Sequence, residues 1–375
     1  MATGLSTKTV ADSDWVLEFC NIRSAWALTP NAGGKRKGEG VVIAHPDTGY
    51  TRHPELFEGE RVLTEDGQKF FDEPGLTSED PLRGPPFPLA VPGHGTGTSS
   101  VMMSGEANSV IGVAPLVKIV PYRVANGVIL KDATDSNLAN AINHAVKLKD
   151  REPSPIDVGV ISISLGRPRL GVEQVIKNAL AAARKAGIVI CGAAGQLLPL
   201  LPNSIFRPAF PGCDANAIGV GACTVTYEEL HGGFYGPDID ITAPGFDIWC
   251  ASSERGNPTR YSVHQSWGTS HSAAIVAGAC ALWQAHWGRR WLIERYGADN
   301  ILDLFRIALT CSADTRDDTW DTANRGAGVL DVEALLKLDL TKLSSERLLK
   351  LASEDSKTPL KESSMAVRLS AFHDE

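Results

Sequence analysis

Apolar runs rich in β-branched residues alternate with segments of helical spacing between about residue 40 and residue 285. Within each run the apolar residues are continuous, a pattern typical of strands that are covered on both faces. Between the runs, residues 137–149 and 172–186 carry apolar side chains on one helical face, which predicts amphipathic helices. The predicted strands cover residues 41–44, 118–124, 158–165, 188–193 and 217–222. This alternation predicts an α/β fold, a three-layer α/β/α sandwich around a central, mostly parallel sheet.

Two regions depart from the alternation. Residues 57–93 are rich in glycine, proline and acidic side chains, which predicts an irregular surface excursion. We expect its acidic run, from Asp72 to Asp80, to be a solvated loop rather than a metal site. Beyond residue 337 the chain becomes rich in serine, lysine and glutamate. We therefore predict one large domain at 1–337 and a partly helical or mobile C-terminal extension at 338–375.

The charge balance argues against one class of partner. The chain has 36 Lys and Arg against 44 Asp and Glu, a net charge of −8, whereas nucleic-acid binding needs a basic face. No apolar stretch approaches the length of a membrane span, and the N-terminus lacks the apolar core of a signal peptide. The seven cysteines form no Cys-x-x-Cys pair, which indicates thiols in a reducing compartment. We expect a cytoplasmic protein, although a secreted form trimmed of its leader would look the same.

Candidate chemistry lies where predicted strands end and predicted helices begin. Ser270 follows a Gly-Thr turn and precedes a run of small residues, so its hydroxyl lies where a helix N-terminus favours negative charge. Asp47 ends a predicted strand, and His94 lies between glycines at a predicted helix start. Gln196 follows another predicted strand. Each residue alone has an ordinary explanation, because serine, aspartate and loop polar residues commonly cap helices and turns.

Their joint order changes this interpretation. Asp47, His94 and Ser270 follow one another in the chain order of the subtilisin triad. Residues 14–336 resemble the subtilisin-like serine protease family, the subtilases, and the motifs that carry the resemblance are 41–49, 93–96, 110–115, 161–166, 242–245, 268–278 and 326–331. The resemblance implies that Ser270 attacks the scissile carbonyl, that His94 transfers the proton and that Asp47 orients His94. It also implies a peptide or protein substrate in extended conformation, with no cofactor required for the chemistry and no catalytic metal.

The resemblance further implies a substrate cleft and an oxyanion donor. The cleft residues would be Ser164, Leu165, Gly166, Ala193, Ala194 and Gly195. Gln196 stands where the family usually has an asparagine that donates a hydrogen bond to the oxyanion. Three interpretations are open: Gln196 donates from a shifted backbone, the enzyme is slow or needs activation, or the chain is a pseudoprotease that binds peptides. The function predicted from the sequence is a serine endopeptidase, with a leader-cleaving or transamidating peptide-maturation enzyme as the alternative.

Two histidines and one loop complete the expectations. His271 directly follows Ser270 and is a helix-face residue near the cleft rim, a residue that shapes the pocket, or a pH sensor. We expect His45, two residues before Asp47, to be a packed structural histidine. Residues 105–109 partly resemble a calcium-binding loop of the family, which leaves a structural calcium ion open although the loop offers few carboxylates.

Overall fold

The computed structural model describes residues 11–57, 59–71, 77–84, 90–168, 171, 174–196, 207–315 and 319–347. A seven-stranded sheet with all neighbouring strands parallel runs through its centre, in the order β2-β3-β1-β4-β5-β6-β7. The strands are β1 Val42–Asp47, β2 Gln68–Lys69, β3 Lys118–Arg123, β4 Val158–Ile163, β5 Val189–Ala193, β6 Ile218–Cys223 and β7 Ile241–Pro244. A separate antiparallel hairpin joins β8 Ile248–Glu254 to β9 Asn257–Ser266.

Helices cover both faces of the sheet. The helices are α1 Trp15–Phe19, α2 Ile22–Ala27, α3 Pro54–Phe57, α4 His94–Met103, α5 Asp132–Lys147, α6 Gln174–Lys185, α7 Thr269–Trp287, α8 Arg289–Tyr296, α9 Ile301–Ser312, α10 Thr322–Arg325 and α11 Val332–Lys337. One apolar cluster joins the sheet to α4, α7 and α9, and a second joins its other face to α5 and α6. The predicted three-layer α/β/α fold is therefore confirmed.

Helix α7 is the central element of one layer. All 19 of its residues are buried, and a helix that is apolar all round belongs inside a protein. Its small residues permit close packing: a Cβ built at Gly278 would lie 2.7 Å from the Cβ of Val113. The carboxyl ends of β1, β4 and β5 meet the N-termini of α4 and α7 at one edge of the sheet, where chemistry in parallel sheets is usually found.

The main core continues past the predicted boundary at residue 337. Leu340 and Leu343 are both fully buried and belong to the same apolar cluster as α7. The Tyr296 hydroxyl, at the end of α8, donates a hydrogen bond to the Leu343 carbonyl at 3.1 Å. The described part of the predicted extension is thus packed against the main core beside the end of α8, and residues 348–375 lie outside the described ranges. Among the residues that the structure describes, none of the helices is long and apolar enough to span a membrane.

The loop at residues 105–109, which resembles a calcium-binding loop, closes around a carboxylate. Glu55, a buried residue of α3, accepts hydrogen bonds from the Ser104 hydroxyl at 2.6 Å, from Ser109 N at 3.0 Å and from Val110 N at 3.2 Å. The loop's own acidic residue, Glu106, pairs with Lys37 at the surface. Because hydrogen-bond donors converge here on an anion, the described loop does not fit a cation that needs six or more oxygen ligands.

Replacing this carboxylate should destabilise the protein. We expect Glu55→Gln to lower the free energy of unfolding by about 1–3 kcal/mol, because one buried acceptor becomes an amide group facing N–H donors. Urea unfolding measures the change, and millimolar calcium should not restore the loss. The control is Glu106→Gln, which removes an exposed ion pair and should cost at most about 1 kcal/mol. Equal costs for both variants, or recovery with calcium, would contradict this account of the loop.

Candidate active site

A buried hydrogen bond joins Asp47 to His94. Asp47 lies at the end of β1 and is 0% exposed. Its Oδ1 accepts from His94 Nδ1 and from Thr48 N, both at 2.7 Å. Because a carboxylate oxygen only accepts, the proton is on Nδ1, and the Nε2 of a neutral His94 has a free lone pair. Burial by itself would raise the pKa of Asp47, but the adjacent His94 ring and the Thr48 N–H outweigh it and lower that pKa.

Ser270 is the second residue of α7 and makes a reciprocal pair of hydrogen bonds with Ser164. The Ser270 hydroxyl donates to the Ser164 carbonyl at 3.1 Å, and the Ser164 hydroxyl donates to the Ser270 carbonyl at 2.9 Å. The Ser270 hydroxyl is therefore directed at β4's end rather than at His94. Rotation about its Cα–Cβ bond is needed before it can donate to His94 Nε2, and catalytic hydrogen bonds in ligand-free sites are often incomplete in this way.

The Gln196 side chain is held against the start of α7. Its Oε1 accepts from Thr269 N at 2.8 Å and from the Thr269 hydroxyl at 2.5 Å. A main-chain N–H only donates, so the atom facing it must be the amide oxygen, which fixes the direction of the amide nitrogen. That nitrogen would lie 2.4 Å from a Cβ built at Gly268, where φ is +138°. The extra methylene of glutamine is thus accommodated over a glycine next to the nucleophile turn.

His45 links three elements behind Asp47. Its Nδ1 donates to the Ser162 carbonyl of β4 at 3.0 Å, so its Nε2 accepts from the Thr98 hydroxyl of α4 at 2.9 Å. Nε2 also lies 3.8 Å from Asp47 Oδ2. Burial lowers the pKa of His45 despite the nearby Asp47 carboxylate. These contacts give His45 a packing role, as expected from the sequence.

His271 is buried beside the catalytic candidates. It is 4% exposed, and its Nδ1 makes no hydrogen bond in the described structure. Burial, with smaller contributions from the positive charges of His94 and His264, lowers its pKa to about 3. The ring is neutral at physiological pH, which argues against the interpretation of His271 as a pH sensor. It is a buried residue of α7, next to Ser270.

The predicted cleft residues lie at the ends of adjacent strands. Ser164, Leu165 and Gly166 follow β4, while Ala193 ends β5 and Ala194 and Gly195 follow it. Both main-chain groups of Gly166 are already paired, its N–H with the Val128 carbonyl at 3.0 Å and its carbonyl with Leu130 N at 2.9 Å. An extended substrate can take the Gly166 N–H only by displacing the Val128 carbonyl, whereas the Gly166 carbonyl has a second lone pair and can still accept. The sequence places the pocket floor somewhere in residues 197–211, and of these, residues 197–206 lie outside the described ranges.

The sequence interpretation missed Asp80. The acidic run was expected to be solvated; of its described residues, Glu79 is half-exposed and pairs with Arg52. Asp80 is instead 6% exposed and accepts hydrogen bonds from the Thr48 hydroxyl and from Gly93 N, which adjoin Asp47 and His94. One local signal was present, because Asp80 precedes a proline. An aspartate in this position favours a turn in which its carboxylate accepts a hydrogen bond from the main-chain N–H two residues later. In the structure, Leu82 N donates this bond to Asp80 Oδ1.

No group of three or more His, Cys, Asp or Glu side chains that could hold a metal ion occurs among the residues the structure describes.

The buried His271 predicts a specific dependence of stability on pH. Its pKa is lowered from 6.5 to about 3 on folding, so between these values the unfolded chain binds a proton that the folded chain does not. The free energy of unfolding should therefore decrease as the pH falls through this window. Denaturant unfolding from pH 7 to pH 4 should show a shallower decrease for His271→Met than for the wild type. The control variant is His231→Gln, which changes an exposed histidine. If the free energy of unfolding of His271→Met falls with pH as steeply as that of the wild type, the lowered pKa of His271 is contradicted.

Comparisons with known proteins show that the chain is similar to several proteases. A subtilisin-like protease of Coccidioides posadasii is 29% identical over 248 residues, covering 65% of this chain and 52% of that protein. An extracellular protease of Xanthomonas campestris pv. campestris is 28% identical and covers 71% of this chain and 46% of that one. Subtilisin Savinase of Lederbergia lenta is 26% identical, and the match covers 65% of this chain and 76% of that protein. The chain spans about half the length of the first two of these relatives.

Solved structures share the fold. A protease from Pseudoalteromonas arctica superposes with a TM-score of 0.65 at 23% identity, covering 84% of this chain and 93% of that chain. MycP1 with its N-terminal propeptide removed superposes with a TM-score of 0.60 at 22% identity, covering 87% of this chain and 97% of that chain. The family model described as the Subtilase family matches residues 38–296. Since this match covers more than half of the sequence and includes Asp47, His94 and Ser270, the chain belongs to the Subtilase family.

Proposed function

We propose that the chain is a serine endopeptidase in which Ser270 is the nucleophile, His94 the general base and Asp47 the residue that orients His94. The observation that carries this proposal is the 2.7 Å hydrogen bond between Asp47 and His94 Nδ1, which leaves Nε2 as the proton acceptor. Membership of the Subtilase family supports a serine peptidase with peptide or protein substrates.

In the proposed reaction, His94 Nε2 takes the proton of the Ser270 hydroxyl as the oxygen attacks the scissile carbonyl carbon. The resulting tetrahedral intermediate carries the negative charge on the former carbonyl oxygen. When it collapses, the C–N bond breaks, and His94 gives its proton to the leaving amine. Water then repeats the sequence on the acyl-enzyme, and Asp47 stabilises the imidazolium formed in each half of the reaction.

Two donors would stabilise the oxyanion. The N–H of Ser270 lies in the first turn of α7, where N–H groups have no partner within the helix. The second donor would be the Gln196 amide nitrogen, whose direction follows from the two hydrogen bonds that Thr269 gives to Oε1. This anchoring favours the interpretation of Gln196 as a donor over that of a pseudoprotease.

We also propose a cytoplasmic setting, which the state of the cysteines supports. All seven lie in the described ranges and are present as thiols, six of them buried. Thiols of this kind support a reducing, cytoplasmic location.

The first test is covalent labelling. A fluorophosphonate probe should form one adduct on Ser270, because only a serine with a general base and oxyanion donors reacts rapidly with it. Intact-mass and peptide mass spectrometry measure the adduct. Ser270→Ala is the control and should not be labelled; a folded wild-type protein that also stays unlabelled would contradict the proposed nucleophile. If peptides are cut but ligated or cyclic products form, the acyl group passes to an amine rather than to water.

The second test concerns the oxyanion donor. Gln196→Met keeps the side-chain length and removes the amide. We expect kcat to fall by about 10²–10³, which is the usual cost of losing one oxyanion donor. KM should change by less than about threefold, because the donor acts mainly on the transition state. Steady-state kinetics on a peptide substrate measure both constants. A kcat within threefold of wild type would show that Gln196 is not the donor.

A further inference from the structure

We propose that Asp80 is a positioning residue for the Asp47–His94 pair. This inference rests on the proposed function, since it assigns Asp80 a part in the same reaction. Asp80 lies between β2 and α4, in the region that the sequence predicts as a surface excursion, yet its carboxylate is buried.

The Asp80 carboxylate bonds to both neighbours of the catalytic pair. Its Oδ2 accepts from the Thr48 hydroxyl at 2.9 Å and from Gly93 N at 2.7 Å. Thr48 directly follows Asp47, and Gly93 directly precedes His94. One carboxylate oxygen therefore connects the end of β1 to the start of α4, which are the two backbones whose separation sets the Asp47–His94 distance.

The same network also holds the other side of His94. The Thr48 hydroxyl donates its single proton to Asp80, so its lone pairs are left to accept from Gly95 N at 3.1 Å. Gly93 is thus bonded to Asp80 directly, and Gly95 through Thr48. The residues on both sides of His94 are held by one carboxylate.

Asp80 itself is on a fixed segment. Its N–H donates to the Tyr50 carbonyl at 2.7 Å, and Tyr50 N donates to the Ser78 carbonyl at 3.2 Å. A Cβ built at Gly49 would lie 2.4 Å from the Ser78 oxygen, so the two backbones pack with no room between them. A rigid support of this kind is what a positioning carboxylate needs.

Burial raises the pKa of the Asp80 carboxyl, so its ionised form depends on the donors and the positive charge that oppose this shift. Leu82 N donates to its Oδ1 at 2.8 Å, which gives the carboxylate three donors. The buried Arg123, whose backbone is paired with Asp47 in the sheet, contributes favourable electrostatics. A carboxylate is needed here because an amide would turn an N–H group toward one of these donors.

The experiment compares Asp80→Asn with Glu79→Gln, the half-exposed acidic neighbour, in the full chain. Two readouts are used: steady-state kinetics on a peptide substrate, and proton NMR of the His94 Nδ1–H in histidine-labelled protein, whose downfield position reports the hydrogen bond to Asp47. For Asp80→Asn we expect kcat to fall about 10- to 100-fold, KM to change less than threefold, and the Nδ1–H resonance to move upfield or broaden. Glu79→Gln should leave all three unchanged.

Thr48→Val provides an independent variant, because it removes the hydroxyl and keeps the Thr48 N–H that donates to Asp47. It should move kcat and the resonance in the same direction by a smaller amount. The double variant should cost less than the two single changes added together, because both act through one network. If Asp80→Asn does not fold, Thr48→Val decides the question with the same readouts.

The inference is overturned if Asp80→Asn, or Thr48→Val in its place, keeps the wild-type kcat and resonance. A merely structural Asp80 would lower the midpoint of unfolding without moving the resonance of the folded protein, and that result also overturns the inference. Failure of the proposed function is distinguishable: a wild type without turnover still shows the His94 resonance, and its response to Asp80→Asn still reports positioning.

Discussion

The hydrogen bond between Asp47 and His94 depends on how β1 and α4 are held together, and much of the surrounding structure serves that contact. Asp47 is a fully buried anion, and burying a charge is costly unless hydrogen-bond donors reach it. His94 and Thr48 donate to its Oδ1, while its Oδ2 makes no hydrogen bond in the described structure and lies 3.8 Å from the His45 ring. Because these donors come from β1 and α4, any movement of one element against the other would leave the carboxylate short of partners.

A second constraint acts at the start of α7. Thr269 gives both its N–H and its hydroxyl to Gln196, and it accepts from Gly195 N at 3.0 Å. The turn after β5 and the first residue of α7 are thereby joined directly beside Ser270. Glutamine fits because Gly268 has no side chain at the point where the amide nitrogen lies. The departure from the usual asparagine is therefore compensated locally rather than spread over the fold.

Much of this arrangement was predictable because its signals are local. Continuous apolar runs predicted β1, β3, β4, β5 and β6 within a few residues of their observed ends. β7 was missed because four residues are too few for a periodic pattern. The hairpin of β8 and β9 was missed because β9 is largely exposed and its apolar residues are few. The burial of His271 could not be read locally either, since whether a helical residue faces a cleft or the core depends on what packs against it.

The sequence by itself determined the family, the layered α/β fold and the identity of the candidate triad, because motif order and apolar runs are properties of the chain. The tertiary structure alone decided how those residues are supported. Asp80 lies 33 positions after Asp47 and 14 before His94, and nothing in its neighbourhood apart from the following proline distinguishes it from the half-exposed Glu79. Only the packing of its segment against Gly49 and Tyr50 buries one carboxylate and leaves the other partly in solvent. The physical reason is that burial is set by contacts between distant parts of the chain, and residue type and spacing do not specify those contacts.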